Sequence, residues 1–233
     1  GNLRTLGLGR LAAETPEVFE VSAPDAEAIA RLDTLQGILD SRCELLTAYQ
    51  DASYAAEYRA FVDETAKVVE ATDAPDAAVY VRAVALTLAR LMAYKDEYEV
   101  ARLHTDPKFK ESLKSQFEDG FKLAFHLSPP ILARTDPKTG RPQKMRFGQW
   151  IQKVFLVLGK MKGLRGTAFD PFGYTLERRE ERALIREYKD LIRQISPKIK
   201  AHNMGQAVAL AEAAAQIRGY GPVKQESIAR YRV

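Results

Sequence analysis

Residues Ala77–His104 read AAVYVRAVALTLARLMAYKDEYEVARLH, and the folding of this stretch decides how the rest of the chain is arranged. Val79, Val81, Val84, Leu86, Leu88, Leu91 and Met92 cover much of the surface of a 3.6-residue helix. Arg82 and Arg90 interrupt the run, which falls short of the ~20 apolar residues a membrane span needs. The stretch therefore predicts a central core helix from Ala77 to about His104. Neighbouring helices must cover it.

Those neighbours are legible on both sides. Ala26–Tyr49 places Ile29, Leu32, Leu35, Ile38, Leu39, Leu45 and Leu46 at helical spacing. Asp51 is an N-cap for a second helix to about Ala71, with Ala55, Tyr58, Ala60, Phe61 and Val68 as its apolar face. Ala74-Pro75-Asp76 separates it from the central helix. Thr105-Asp106-Pro107 opens a fourth helix to Glu118. After Gly120, Phe121, Leu123, Phe125 and Leu127 alternate with polar or small residues at a strand period of two. Asp136-Pro137-Lys138-Thr139-Gly140 has turn chemistry, and Lys144–Phe147 can pair back across it. Helices resume at Phe147–Met161, with Trp150, Ile151, Val154, Phe155 and Leu158 on one side. Thr175 caps a charged helix over Leu176–Ile195. A last helix covers Gln206–Arg218, and a short tail covers Val223–Tyr231.

The expected fold is mainly α: a multi-helix domain with a small β-hairpin inserted near 121–147. Residues 1–24 are expected to be the end of a preceding domain and a linker, because Glu14–Pro24 is punctuated by prolines. Residues 25–233 form the helical domain. With 46% apolar and 28% charged residues among 233, the chain can bury a sizeable core. The single cysteine, Cys43, excludes an internal disulfide and an iron–sulfur cluster held by four thiolates, and fits a reducing cytoplasm.

Charge is lopsided behind a net +4. Residues 1–101 carry 9 Lys/Arg against 18 Asp/Glu, whereas residues 102–166 carry 14 against 5. The two parts can neutralise each other face to face, or leave a basic surface for an acidic partner. Arg141, Lys144, Arg146, Lys153 and Arg165 are the candidate partner or anion contacts. The interleaved Phe147, Trp150 and Phe155 fall at helical spacing, which points to packing and not to base stacking, so nucleic acid is not the expected partner.

Other motifs weigh less. Gly7-Leu8-Gly9-Arg10 lacks the third glycine and preceding strand of a dinucleotide loop. The run Glu177–Arg182 reads as a solvated face, or as arginines (Arg178, Arg179, Arg182) reaching into a buried polar network. His104 and His126 sit beside apolar residues and read as structural. No catalytic, cofactor or metal residue is assigned.

Three segments carry a family resemblance. They are YKDEYEVARL (94–103), FHL with Pro129-Pro130 (125–130), and LRG with Asp170-Pro171-Phe172-Gly173 (164–173). In this order they resemble the C-terminal helical region of the fused bacterial indolepyruvate ferredoxin oxidoreductases, of the thiamine-diphosphate-dependent 2-oxoacid:ferredoxin oxidoreductase family. His104 departs from the pattern, where a tyrosine is expected. The resemblance covers about residues 30–230. It implies that the chain is an accessory or scaffold domain of an enzyme that oxidatively decarboxylates an aryl pyruvate to an acyl-CoA. The implied cofactors of that parent are thiamine diphosphate, magnesium and a [4Fe–4S] cluster, with their ligating motifs outside this chain. The implied partners are upstream catalytic domains of the same polypeptide, a ferredoxin, and further copies of the parent in a homo-oligomer. The location implied is cytoplasmic, with no membrane contact. The competing expectation is a free-standing module for an anionic ligand, a nucleotide or coenzyme A, gripped by Arg141, Arg146 and Arg165.

Overall fold

A computed structural model describes residues 34–117, 123–127, 145–219 and 221–232. The fold is mainly α with one two-stranded antiparallel sheet. The expected residue 1–24 segment, the start of the first helix, and the hairpin turn at 136–140 lie outside the described residues.

Helix α1 spans Leu35–Tyr49, and the Thr34 side chain accepts from the Gly37 amide at its start. Helix α2 spans Ala52–Glu70, capped by Asp51 accepting from the Tyr54 amide, as its sequence predicts. Helix α3, Ala77–Met92, is the centre of the larger core: Tyr80, Val84, Ala85, Leu88 and Met92 are fully buried. It is flanked by α1, α2, α7 (Leu176–Ile195) and α8 (Met204–Ala213). Val79, read as a core residue, stands half out of the surface in the first turn.

The largest departure from the sequence reading is that the central helix does not continue to His104. It stops at Met92, and a separate helix α4, Glu97–Thr105, leaves at 94° to it. Asp96 causes the restart. Its carboxylate accepts from the Glu99 amide at 2.8 Å, and Asp96-x-x-Glu99 has the capping-box spacing. A break strands carbonyls in the interior, where each needs a donor. Tyrosine hydroxyls supply them: Tyr54 Oη donates to the Met92 carbonyl at 3.0 Å and Tyr49 Oη to the Tyr94 carbonyl at 2.9 Å. Apolar periodicity misses the bend because Tyr94, Tyr98 and Ala101 remain buried beyond it.

Helix α5 spans Pro107–Gln116. Strands β1 (Phe125–Leu127) and β2 (Met145–Phe147) pair with Phe125 opposite Phe147, His126 opposite Arg146 and Leu127 opposite Met145. One face of this hairpin lies on a second, smaller core made with Ala101 of α4 and with Ile151 and Phe155 of α6, Ile151–Lys160. Phe147 therefore belongs to a strand and not to the helix expected to begin there. A 3₁₀ turn, Met161–Leu164, ends α6. Thr175 caps α7 as expected, accepting from the Arg178 amide. The last expected helix is shorter, and the tail is itself a helix: α8 ends at Ala213, a 3₁₀ turn follows, and α9 covers Pro222–Tyr231. No single helix among the described residues is long and apolar enough to cross a membrane.

The bend depends on the tyrosine hydroxyls, so Tyr49→Phe should lower unfolding free energy by about 1–3 kcal/mol, the cost of an unsatisfied buried carbonyl. Urea denaturation checks this, with an unchanged m-value expected.

Candidate functional site

Two of the segments singled out in the sequence meet at the bend. Arg165 follows the 3₁₀ turn after α6, and its side chain is 3% exposed against Asp96 at 2%. Nε and Nη2 grip the two Asp96 oxygens at 2.5 and 2.9 Å, a bidentate pair, while Nη1 donates to the Tyr49 carbonyl at 2.6 Å. The guanidinium carbon lies 3.6 Å from the centroid of the Tyr49 ring. Burial is the largest influence and works against the arginine's charge, but the Asp96 hydrogen bonds, the Asp96 charge and the neighbouring tyrosines together raise its pKa. One residue thus joins the end of α1, the start of α4 and the loop after α6.

Asp170 does the same for its own loop. Oδ1 accepts from Tyr98 Oη at 3.0 Å and from the Phe172 amide, and Oδ2 accepts from the Gly166 amide at 2.9 Å. A Cβ at position 173 would lie 2.6 Å from Oδ2, so Gly173 is what lets the carboxylate fold under the turn. Burial, then the Asp170 contact, pushes the Tyr98 hydroxyl pKa up. Nearby, Arg178 pairs with Glu97 at 3.3 Å, and Arg182 donates to the Gly173 carbonyl at 2.6 Å. Arg178 and Arg182 thus join an interior polar network, while Arg179 faces solvent. The Arg178 Nε and Arg182 Nη1 atoms are buried without a hydrogen-bond partner among the described residues. The assembly is a clamp: its carboxylates are taken up by fixed donors.

The outer surface of α6 is different in kind. The helix buries Ile151 and Phe155 but exposes Val154, Leu156 and Val157, with Trp150 just before it. Trp150 and Val154 were expected on the buried side. Trp150, Val154 and Val157 form one stripe at helical spacing. Lys153 and Lys160 are exposed on the same helix, and residues 145–169 contain no Asp or Glu. The excess of apolar residues in IQKVFLVLGK, more than one face can bury, is the signal that periodicity overlooked.

The five candidate contacts therefore separate. Arg146 and Lys153 are exposed. Arg165 is inside and fully engaged, which corrects its reading as an anion contact. Arg141 and Lys144 lie outside the described residues. His104 is a packing residue: its ring stacks on Phe155 at 5.4 Å and meets Phe125 and Phe109 edge-on. His126 is exposed on β1. Cys43 is half-buried, with Sγ 3.9 Å from the Ala55 carbonyl, and burial raises its thiol pKa. Among the described residues, no group of three His, Cys, Asp or Glu is placed to hold a metal ion.

A family model covers residues 35–233, from the start of α1 to the end of the chain. The chain belongs to DUF6537, a family of unknown function. No curated protein and no solved structure matches it. The matched span takes in both apolar cores and the clamp between them.

Two outcomes follow from this geometry. Arg165→Met should cost about 3–5 kcal/mol by stranding the Asp96 charge, and the double variant with Asp96→Leu should recover part of it; chemical denaturation of the four proteins checks the coupling. His104 has its pKa lowered from 6.5, first by burial and then by Lys95. The unfolded chain therefore binds the proton more readily. The ring's contribution to stability is present above about pH 6.5 and is lost as pH falls below it. Melting from about pH 7.5 to 5.5 should show this loss, and His104→Phe should make the curve flatter over that range.

Proposed function

We propose that this chain is an accessory domain of an indolepyruvate-type 2-oxoacid:ferredoxin oxidoreductase, serving catalytic domains of the same polypeptide as a docking body. The observation that carries the reading is the exposed apolar and basic face of α6. Trp150 and Val157 are each 59% exposed. An exposed apolar cluster of this kind marks an interaction surface. The lysines beside it favour an acidic partner, and charge complementarity speeds encounter more than it adds affinity. Two candidates suit it: the parent's own catalytic domains, and an acidic ferredoxin arriving to collect electrons.

The resemblance of the 94–103, 125–130 and 164–173 segments supports this choice of parent. Thiamine diphosphate, magnesium and the [4Fe–4S] cluster belong, in this reading, to other domains. One cysteine cannot supply four thiolates, and Asp96 and Asp170 already accept from arginine, tyrosine and amide donors. No step of the parent's chemistry is assigned to this chain. Cytoplasmic residence and homo-oligomerisation of the parent belong to the same proposal.

The test is ferredoxin reduction by the parent enzyme across a range of ionic strength. The expected result is kcat/KM for ferredoxin that falls as salt rises, and falls about tenfold when Arg146 and Lys153 are both reversed to Glu. A response flat with salt, together with wild-type kinetics in the double variant, sinks the ferredoxin role. Loss of parent assembly on Trp150→Ser with Val157→Ser supports docking on the catalytic domains. Wild-type assembly and kinetics in both pairs of variants would falsify the α6 surface as a docking face.

A further inference from the structure

A groove of about 430 Å³ runs between α1 and α3. Its sides carry Arg42, Leu45, Leu86, Ala89, Arg90 and Ala93, and Ala215 completes it at the turn after α8. The volume falls in the range of small-molecule sites, about 300–1,000 Å³. Its lining residues belong neither to the clamp nor to α6.

Two arginines on one groove give it its positive charge. Arg59, Arg102, Arg165, Arg178 and Arg232 each pair with a carboxylate. Arg42 and Arg90 form no hydrogen bond or ion pair among the described residues. Their helical neighbours explain why. Three and four residues from Arg42 stand Ile38, Leu39, Leu45 and Leu46; the same positions around Arg90 are Leu86, Thr87, Ala93 and Tyr94. Among the described lining residues none is acidic. Arg90 sits in the last turn of α3, where the helix dipole favours a cation. Arg42 is mid-helix and half-buried, and has no such explanation.

We infer that this groove binds a small amphiphilic oxyanion, a carboxylate or phosphate carried on an alkyl or aryl body. The head group lies between the guanidiniums of Arg42 and Arg90, which grip oxygen pairs. The apolar body lies along Leu45, Leu86, Ala89 and Ala93. Charge complementarity selects the head, and among the described lining residues there is no carboxylate to compete for the arginines. This site is separate from the α6 surface, so either can fail without the other.

The probes are decanoate, decyl phosphate and decanol, titrated into the full ¹⁵N-labelled chain with amide shifts recorded. The expected result is saturable binding of at least one anion. Shifts should be confined to residues 42–46, 86–93 and 215. Decanol should bind about tenfold more weakly, and Arg42→Gln with Arg90→Gln should weaken the anion about tenfold or more. Which of the two anions binds tighter identifies the head group. Decanol binding equal to both anions, shifts centred on Trp150 to Val157, undiminished binding in the double variant, or no saturable binding each overturns the inference. An unchanged melting curve for the double variant confirms that it is folded, since neither arginine has a carboxylate partner among the described residues.

Discussion

The architecture depends on one guanidinium. The larger core around α3 and the smaller one between α4, α6 and the hairpin are separate apolar clusters. Arg165 ties them by holding the Asp96 carboxylate at the start of α4 and the Tyr49 carbonyl at the end of α1. Apolar burial is non-directional and would accept many relative placements of two such bodies. A bidentate pair buried this deeply accepts few. A buried ion pair is poor grounds for claiming net stability, because desolvation offsets much of the attraction. Its stronger consequence here is orientation: α4 leaves α3 at a set angle, and α6, packed on α4, is aimed accordingly.

That interaction also explains how the lopsided charge is handled. Asp96, Glu97 and Glu57 come from the acidic first part of the chain, and they pair with Arg165, Arg178 and Lys189 from the later, more basic parts. Lys162 donates to the carbonyls of Thr47 and Ala48 at the C-terminal end of α1, where a cation is favoured. Of the three ion pairs only that of Asp96 with Arg165 joins the acidic first part to the basic middle, so neutralisation between those two parts is slight among the described residues. The exposed lysines of α6 stand in a stretch with no acidic residue. Among the described residues, the basic surface that remains is localised on α6 and the adjoining strand.

What could be read from residues alone follows the range of the physics. Caps act over three residues, and Asp51 and Thr175 are where their spacing places them. The hairpin is set by a two-residue period, and Phe125 and Phe147 do face one core. The bend at residues 93–96 is hidden in the sequence because its causes pull in different directions. Apolar spacing runs through it, while the Asp96–Glu99 capping spacing, legible in principle, was outweighed by that run. The donors that make the bend tolerable, Tyr49 and Tyr54, lie some forty residues upstream, and no local pattern announces them. Arg165 misled for the same reason. An arginine in a glycine-flanked, lysine-rich loop looks solvent-facing until its carboxylate, 69 residues away, is found beside it.

Apolar spacing misleads about α6 in the opposite way: Trp150 and Val154 fall on the same side as Ile151, Phe155 and Leu158 in the sequence, yet stand exposed. A helix ten residues long, lying on one neighbour and a two-stranded sheet, has only one face to bury, and Ile151 and Phe155 fill it. Trp150, Val154 and Val157 are then left exposed, outside the packing of the described residues. Exposed apolar area on a helix aimed by a buried clamp is unlike scattered exposure, because the clamp holds the stripe in one fixed orientation. Conformational freedom lost on folding need not be lost again on docking, and that lowers the cost of association. The polar clamp and the apolar stripe are thus two parts of one arrangement: the first spends its charges internally so that the second can be presented rigidly.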